Sequence, residues 1–348
     1  ESVQIAKKRG HRGLANLVNG ILRNVQRSGP PLFNEIHDEV ERVAVEYSHP
    51  IWLVSRWVQH YGLEIAQNIC KANLERPIVT ARVNTMKTTV SEVLKLLSDD
   101  GVVAQRGKLS PDSIEIKSGN LIHTNVFQQG YVTIQDESSM LVARALQPQK
   151  GDKILDCCAA PGGKTTHIAE LMNNEGEIIA TDIHEHKIKL IEQHIERLQL
   201  VNVKTERLDV REAHQKFSKE SFDRILVDAP CTGFGVLRRK PDIKWTKEEQ
   251  DVEEMVTIQQ QILESVSPLL KKGGTLVYST CTIEPSENEQ VIREFLTKHP
   301  DYQFDPVLKE RLPEQLYPYY DEECSEIQIL PHYFQSDGFY IAVLRKKK

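Results

Sequence analysis

The stretch KILDCCAAPGGKTT, from Lys153 to Thr166, decides the fold of this chain. It begins as a short apolar strand at Ile154-Leu155, and Asp156 follows at the point where such a strand would leave a sheet. A turn of small residues, Ala159 to Gly163, precedes a helix that would begin near Lys164. A strand, a glycine turn and a helix start form an arrangement that brings backbone N–H groups up to a ligand. The stretch therefore predicts a ligand-binding turn.

The stretch does not match two well-known nucleotide-binding patterns. It lacks G-x-G-x-x-G, which disfavours a nicotinamide enzyme. A P-loop ending at Gly163-Lys164-Thr165 would need glycine at position 158, where the sequence has Cys158. A plain strand-to-helix turn without a ligand is the alternative that this stretch alone leaves open.

From about Gly130 to the C-terminus, strand-like apolar runs alternate with helical patterns. Strands are predicted at 153–157, 177–182, 202–207, 223–228, 274–280, 325–330 and 339–344. Helices are predicted at 164–173, 185–199, 248–270 and 286–298. This alternation predicts an α/β fold with a doubly wound, Rossmann-like sheet, in which ligands bind beyond the carboxyl ends of the strands.

The residues before this sheet divide into two smaller parts. Residues 1–76 have helical spacing, with one apolar face formed by Leu14, Leu17, Val18, Ile21, Leu22 and Val25. Further helices are predicted at 50–61 and 64–74. Short strands at 78–83, 113–116 and 132–134 and a helix at 89–97 indicate a small α+β connector. We therefore predict a helical segment at 1–76, the connector at 77–129 and the α/β domain at 130–348.

Composition is that of an ordinary soluble protein, with 39% hydrophobic and 27% charged residues. No run of about 18 apolar residues exists, so we predict no transmembrane helix, no membrane partner and a cytoplasmic protein. The six cysteines show no C-x-x-C or other metal-ligand spacing, so no metal site and no disulfide framework are predicted; they are Cys70, Cys157, Cys158, Cys231, Cys281 and Cys324. The chain opens with Glu1 rather than Met, and we expect that an N-terminal portion is missing.

The net charge of −6 gives no support to wholesale binding of nucleic acid. An RNA substrate would have to be held by local basic patches. The candidates are Lys7-Lys8-Arg9 with Arg12, Arg238-Arg239-Lys240 with Lys244, and Arg345 to Lys348. The alternative for each run is a solvated surface without a partner.

Acidic residues end four of the predicted strands: Asp156, Asp182, Asp209 and Asp228. Asp182 stands where an acidic side chain can accept hydrogen bonds from ribose hydroxyls, and Asp209 could sit beside an adenine. One or two such residues could be strand-end caps. Four in register predict a nucleoside ligand.

Two cysteines also follow strands of this sheet. Cys231 lies in Asp228-Ala229-Pro230-Cys231, after the fourth strand, and Cys281 lies in Thr280-Cys281-Thr282, after the fifth. If the two strands are neighbours, both thiols face the same crevice. The alternative for a single cysteine is a buried structural role.

A thiol, a carboxyl group and a nucleoside cofactor suit methylation at carbon 5 of a pyrimidine. A thiolate that adds at carbon 6 makes carbon 5 able to attack a methyl sulfonium. An acid group bonded to N3, a role that suits Asp228, stabilises the charge that develops. The spacing does not decide between Cys231 and Cys281 as the thiolate.

The motifs closely resemble those of the RNA cytosine-5 methyltransferases of the Sun/Fmu/NOL1 superfamily, over roughly residues 130–348. The resemblance rests on ILDCCAAPGGKTTHIAE, Asp182, Asp209, DAPCTGFGVLRRKPDIKW and YSTCTIEPSENEQVI. It implies that S-adenosylmethionine is bound by Cys158, Ala159, Ala160, Pro161, Gly162, Gly163, Lys164, Asp182, Asp209 and Asp228.

The resemblance also implies roles for the two cysteines. Cys281 would be the nucleophile, and Cys231 would help to release the product by assisting loss of the carbon 5 proton. Cytosine-5 DNA methyltransferases use a Pro-Cys cysteine instead, so Cys231 is the rival. The basic and aromatic loop of Arg238, Arg239, Lys240, Lys244 and Trp245 would hold RNA phosphate or stack a base.

The N-terminal helices, with GLANLVNGILRN, are similar to the later part of a NusB-like RNA-binding domain, and the connector is RRM-like. This combination resembles the RsmB branch of the superfamily. It implies a bacterial 16S rRNA substrate methylated at cytosine 967, and a monomeric enzyme.

Three other hypotheses are weighed against this one. The same chemistry on tRNA is the alternative within the class, since the appendages choose the substrate. A non-catalytic RNA-binding or ribosome-assembly factor would not need the intact set of Asp182, Asp228, Cys231 and Cys281. The hypothesis of a thiol redox protein is rejected because the sequence has no C-x-x-C motif.

Overall fold

Two β-sheets form the framework of the protein, a computed structural model that describes residues 1–29, 33–321 and 325–348. Cys324 lies outside the described residues. No helix in the described ranges is both long and apolar enough to cross a membrane.

The chain begins with helices, as the apolar spacing predicts. They are α1 (Ser2–Arg9), α2 (Arg12–Ser28), α3 (Glu39–Glu46), α4 (Ile51–Tyr61) and α5 (Leu63–Leu74). The apolar face of α2 is exposed, with Leu17 at 60%. By contrast, α3 to α5 bury Leu53, Trp57 and Ile69 in one cluster with Phe234 of the main domain. These later helices therefore pack against the α/β domain and share a hydrophobic core with it.

The small sheet follows with the element order βαββαβ. Its elements are β1 (Val79–Val83), α6 (Val90–Asp99), β2 (Val103–Arg106), β3 (Ser113–Ser118), α7 (Asn125–Gln128) and β4 (Val132–Ile134). The strands are antiparallel in the order β2-β3-β1-β4, which is a ferredoxin-like arrangement. The sequence pattern missed β2. Because β4 pairs with β1, this sheet extends to residue 134, beyond the predicted boundary at 129/130.

The large sheet confirms the doubly wound fold. Its strands are β5 (Lys153–Asp156), β6 (Glu177–Asp182), β7 (Val203–Arg207), β8 (Phe222–Asp228), β9 (Leu270–Thr280), β10 (Tyr302–Phe304), β11 (Tyr320–Asp321), β12 (Glu326–Ile329) and β13 (Phe339–Lys346). The parallel part has the order β7-β6-β5-β8-β9, and β13 joins β9 antiparallel. The order reverses between β5 and β8, where a sheet of this kind opens a crevice.

Helices cover both faces of this sheet. They are α8 (Glu137–Leu146), α9 (Gly163–Leu171), α10 (Glu185–Leu198), α11 (Ala213–Lys216), α12 (Ile243–Thr246), α13 (Glu249–Val266), α14 (Glu289–Lys298) and α15 (Leu308–Arg311). Two apolar clusters fill the space between helices and sheet, one on each face. The predicted helix at 248–270 is too long, because α13 ends at Val266 and β9 begins at Leu270.

Candidate active site

The turn after β5 is tied to the strands on both sides of it. The N–H of Cys157 donates to the carbonyl of Leu226 at 3.0 Å, and the N–H of Ala159 donates to Thr181 at 2.8 Å. Gly162 has φ of +104°, and a Cβ there would lie 3.3 Å from the Cα of Ile191. Glycine is therefore required at this point, both by the backbone conformation and by the close approach of α10.

The helix after this turn, α9, is held by Asp156 of β5 and by Arg82 of the small sheet. Asp156, buried at the end of β5, accepts a hydrogen bond from Thr165 at 2.6 Å. Arg82 of β1 donates to the carboxylate of Glu170 at 2.9 Å and to the carbonyl of Gly163 at 2.9 Å. The small sheet thus fixes the start of α9 through one buried guanidinium.

A cavity of about 220 Å³ opens beside the turn. It brings together three residues predicted to bind the cofactor, Cys158, Asp182 and Asp209, and adds apolar walls that the sequence pattern did not indicate: Ile183, Leu208, Val210, Pro230, Ile258 and Ile262. Carboxylates at one side and apolar walls at the other suit a ribose and a flat base. These residues fit the adenosine part of a nucleoside cofactor.

The two acidic residues of this cavity differ in their own partners. Asp182 accepts a hydrogen bond from the N–H of His184 at 3.1 Å. Asp209 is paired with Arg211, whose guanidinium nitrogens lie 2.6 and 3.0 Å from its oxygens, and this contact lowers the pKa of Asp209. Arg211 was not singled out from the sequence, although an arginine two positions from a strand-end aspartate is a recognisable pattern.

Cys231 and Cys281 meet, as neighbouring parallel strands β8 and β9 require. Their sulfurs are 3.4 Å apart. The S–H of Cys231 stabilises a thiolate at Cys281, and this contact, helped by the nearby Lys164 ammonium against the effect of burial, lowers the pKa of Cys281. The same contact, together with burial, raises the pKa of Cys231 well above its ordinary value. The contact between the sulfurs is itself symmetric, and it is the direction of these pKa shifts that favours Cys281 as the thiolate of the pair.

Asp228 lies beside the cysteines and is held by two donors. The ammonium of Lys164 is 2.8 Å from one carboxylate oxygen, and the hydroxyl of Ser279 is 2.8 Å from the other. Burial alone would lower the pKa of Lys164, but the Asp228 carboxylate outweighs it and raises that pKa. Lys164, predicted as a cofactor residue, therefore directs its charge toward the cysteines and Asp228.

The predicted RNA-binding loop divides into buried and exposed residues. Arg238 is buried, and its guanidinium donates to the carbonyls of Ala72, Pro331 and Gln335 at 2.7 to 2.9 Å. All these bonds are internal, so the surroundings of Arg238 give no support to its predicted contact with RNA, which stays a prediction. Lys244, also predicted to contact RNA, is buried as well, at 5% exposed.

The remaining residues of this loop stay at the surface. Arg239 pairs with Asp136 and Asp337, each at 2.8 Å. Lys240 is exposed, and Trp245 is 58% exposed. Of the five predicted RNA contacts, Lys240 and Trp245 are the most available to a partner.

The family of 16S rRNA methyltransferases RsmB/F matches residues 143–345, and the ferredoxin-like domain of RsmF/B-like methyltransferases matches residues 49–123. The second match includes α4 and α5, which the sequence pattern grouped with the segment at 1–76. The probable ribosomal RNA small subunit methyltransferase B of Bacillus subtilis (strain 168) is 51% identical over 347 residues, covering 100% of this chain and 77% of that protein.

Solved structures are similar over most of the chain. The crystal structure of PH0851 is 32% identical with a TM-score of 0.85, and the match covers 99% of this chain and 75% of that one. The methyltransferase homolog protein from Pyrococcus horikoshii is 29% identical with a TM-score of 0.75, over 89% of this chain and 100% of that one.

A methyltransferase needs a methyl donor, and for this family a donor of the S-adenosylmethionine type is implied. The cavity beside the turn after β5, with its two carboxylates and apolar walls, fits the nucleoside part of such a donor. Sequence identity over the whole chain and similarity of fold lead to the same conclusion. The chain belongs to the RsmB/F family of 16S rRNA methyltransferases.

Proposed function

We propose that this chain transfers the methyl group of S-adenosylmethionine to carbon 5 of a cytosine in 16S rRNA. The observation that carries the proposal is the pair of sulfurs 3.4 Å apart, with the Asp228–Lys164 ion pair beside them. A methyl transfer to a nitrogen would use the nitrogen lone pair and would need no thiol. A transfer to carbon 5 needs a nucleophile at carbon 6 and an acid at N3.

The first step is addition of the Cys281 thiolate to carbon 6 of the cytosine. The sulfur–carbon bond forms, and the electrons of the 5,6 double bond move toward carbon 5 and N3. Asp228 would stabilise this charge by giving N3 a proton or a hydrogen bond. For that it must carry a proton or share one with N3.

The remaining steps methylate carbon 5 and restore the ring. When bound, S-adenosylmethionine supplies an electrophilic methyl group. Carbon 5 then carries both a methyl group and a proton. A base takes that proton, the 5,6 double bond forms again, and the bond between carbon 6 and the Cys281 sulfur breaks, so that the sulfur leaves as a thiolate. Cys231, whose sulfur is 3.4 Å from that of Cys281, is the residue that we assign to this release.

The substrate must present its cytosine unstacked. Both sulfurs lie in a partly buried crevice at the ends of β8 and β9, which a base inside a duplex does not reach. The exposed Trp245 and Lys240 would contact the flanking nucleotides. The name of the Bacillus subtilis relative supports small-subunit rRNA, and cytosine 967 is the site that we propose.

The decisive experiment measures tritium transfer from labelled S-adenosylmethionine to small-subunit rRNA and to total tRNA, followed by nucleoside analysis. We expect label in 5-methylcytosine of the rRNA, and mapping of the modified position tests cytosine 967. Label in tRNA alone would preserve the chemistry and overturn the substrate. Cofactor binding without transfer to either RNA would favour the non-catalytic binding factor.

Asp182→Ala is expected to weaken binding of S-adenosylmethionine by about 10- to 100-fold, because a hydrogen bond to a charged group contributes roughly 1.5–3 kcal/mol. Titration calorimetry measures the Kd. Glu185→Gln is the matched control, since Glu185 is an exposed carboxyl on the adjoining helix and does not line the cavity. An unchanged Kd for Asp182→Ala would remove Asp182 from the cofactor site.

A further inference from the structure

A buried carboxylate, Glu287, connects the two cysteine loops. It lies in a short 3₁₀ turn after the Cys281 loop and is fully buried. One of its oxygens accepts the N–H of Thr232 at 2.9 Å and the amide of Gln259 at 3.1 Å. Its other oxygen accepts the hydroxyl of Thr232. Both oxygens are therefore engaged by the residue that follows Cys231.

The position of Glu287 is itself set by the sheet. The hydroxyl of Tyr278, inside β9, donates to the main-chain carbonyl of Glu287 at 2.6 Å. Glu287 thus links β9 to the Cys231 loop, because its main-chain carbonyl bonds to Tyr278 and its carboxylate bonds to Thr232. A second bridge runs parallel to it, because the hydroxyls of Thr232 and Thr282 are 3.0 Å apart. Each of these threonines is the immediate neighbour of one of the two cysteines.

Burial of the Glu287 carboxylate has an unfavourable desolvation free energy. Burial raises the pKa of Glu287 to about 7, although the bonds from Thr232 and Gln259 oppose the shift. Apolar packing stabilises a core at least as well as a buried charged group. What an apolar residue could not supply is a directed pair of acceptors for the N–H and hydroxyl of Thr232.

We propose that Glu287 is a positioning residue, which holds the Cys231 loop against the Cys281 loop so that Cys231 stays in reach of the base after Cys281 has added to it. This inference rests on the proposed cytosine-5 chemistry. Its consequence is greater for one half of the reaction. Loss of Glu287 leaves Cys281 on its own strand and frees Cys231. Addition loses only the stabilisation of the thiolate by the Cys231 S–H and continues, while release, which depends on Cys231 itself, slows more.

The experiment compares the covalent enzyme–RNA complex formed by Glu287→Ala, Cys231→Ala and the unchanged chain with S-adenosylmethionine, resolved on denaturing gels over time. A shift of about 1 Å at a reacting group can cost roughly a hundredfold in rate. We therefore expect release from Glu287→Ala to slow by about 10- to 100-fold. The complex should accumulate as it does with Cys231→Ala. Affinity for S-adenosylmethionine should stay unchanged.

Glu284→Gln is the matched control. Glu284 is equally buried in the same loop, but its carboxylate accepts hydrogen bonds from Arg56 of α4 and from Ser286, and not from the Cys231 loop. It should release product at the rate of the unchanged chain. Accumulation equal to that of Glu287→Ala would mean that any disturbance of this loop slows release, and would overturn the proposal.

The remaining outcomes separate this proposal from the proposed function. If the unchanged chain transfers no methyl group, the proposed function itself fails. If Cys231→Ala accumulates the complex and Glu287→Ala does not, only the role of Glu287 is overturned. If Glu287→Ala does not fold, Glu287→Gln decides. Its amide oxygen keeps one of the bonds from Thr232 and supports folding, whereas its NH₂ group cannot accept the other, so release should still slow. Release by folded Glu287→Gln at the unchanged rate would contradict the proposal.

Discussion

Cys281→Ala is expected to abolish methyl transfer to RNA, lowering the single-turnover rate by at least roughly 10⁴-fold, since loss of a nucleophile removes the covalent route as a whole. Affinity for S-adenosylmethionine should stay near that of the unchanged chain, because Cys281 does not line the cavity assigned to the nucleoside. Tritium transfer and titration calorimetry measure the two quantities. A covalent complex with 5-fluorocytosine RNA should also be absent.

The control for this variant is Cys70→Ala. Cys70 is a buried cysteine of α5, packed in the cluster around Trp57 and remote in the sequence from both cysteine loops. Its replacement should leave transfer intact. Retained transfer in Cys281→Ala, with loss in Cys231→Ala, would assign the attack to the rival cysteine.

Asp228→Asn is expected to lower transfer by roughly 10²- to 10⁴-fold, because proton transfer by a placed side chain contributes about that much. The amide keeps the shape of the side chain but cannot give N3 a proton, and it no longer pairs with Lys164 2.8 Å away. Formation of the 5-fluorocytosine complex should slow together with methyl transfer, since the acid acts when Cys281 adds. Stopped reactions on denaturing gels give both rates.

Asp223→Asn tests whether any loss of charge on β8 has this effect. Asp223 stands at the opposite end of the same strand and pairs with Lys271 at 2.7 Å. It should lower stability modestly and leave the rate of addition unchanged. Addition at the unchanged rate in Asp228→Asn would instead exclude Asp228 as the acid.

The architecture of the main domain was accessible from the sequence because its strands are buried. Parallel strands covered on both faces are continuous apolar runs, such as Ile225 to Val227 in β8, and they end where polar residues begin. Asp182, Asp228 and the two cysteines stand at those ends, so their meeting followed from topology. Short and half-exposed strands carry a weaker pattern, and β2, with its exposed residues, was missed for that reason.

The boundary of the small sheet illustrates a second kind of failure. The strand at 132–134 was predicted and counted with the connector, but the boundary drawn at 129 left it outside, because its pairing is decided by a partner about 50 residues earlier in the chain. Thr133 lies opposite Arg82, and Val132 lies opposite Val83. Neither residue carries a local signal of that register.

Side chains of the same chemical type were also placed differently by the fold. Arg238 and Lys240 belong to one basic run, yet Arg238 is buried under carbonyls and Lys240 faces outward. Those carbonyls belong to Ala72 and Pro331, which are 166 and 93 positions away. A charged residue can be expected at the surface only when the fold does not bring a distant backbone carbonyl to it as a hydrogen-bond partner.

The sequence by itself determined the strands β5 to β9, β12 and β13, the helices α9, α10, α13 and α14, the turn after β5, and the acidic and cysteine residues at the strand ends. Those features depend on local apolar periodicity and on residue types. Only the tertiary structure decided that Lys164 pairs with Asp228, that Arg82 reaches the start of α9, and that Glu287 joins the two cysteine loops. Each of these contacts joins residues at least 55 positions apart, and its energy comes from burial and charge that arise only when the elements pack.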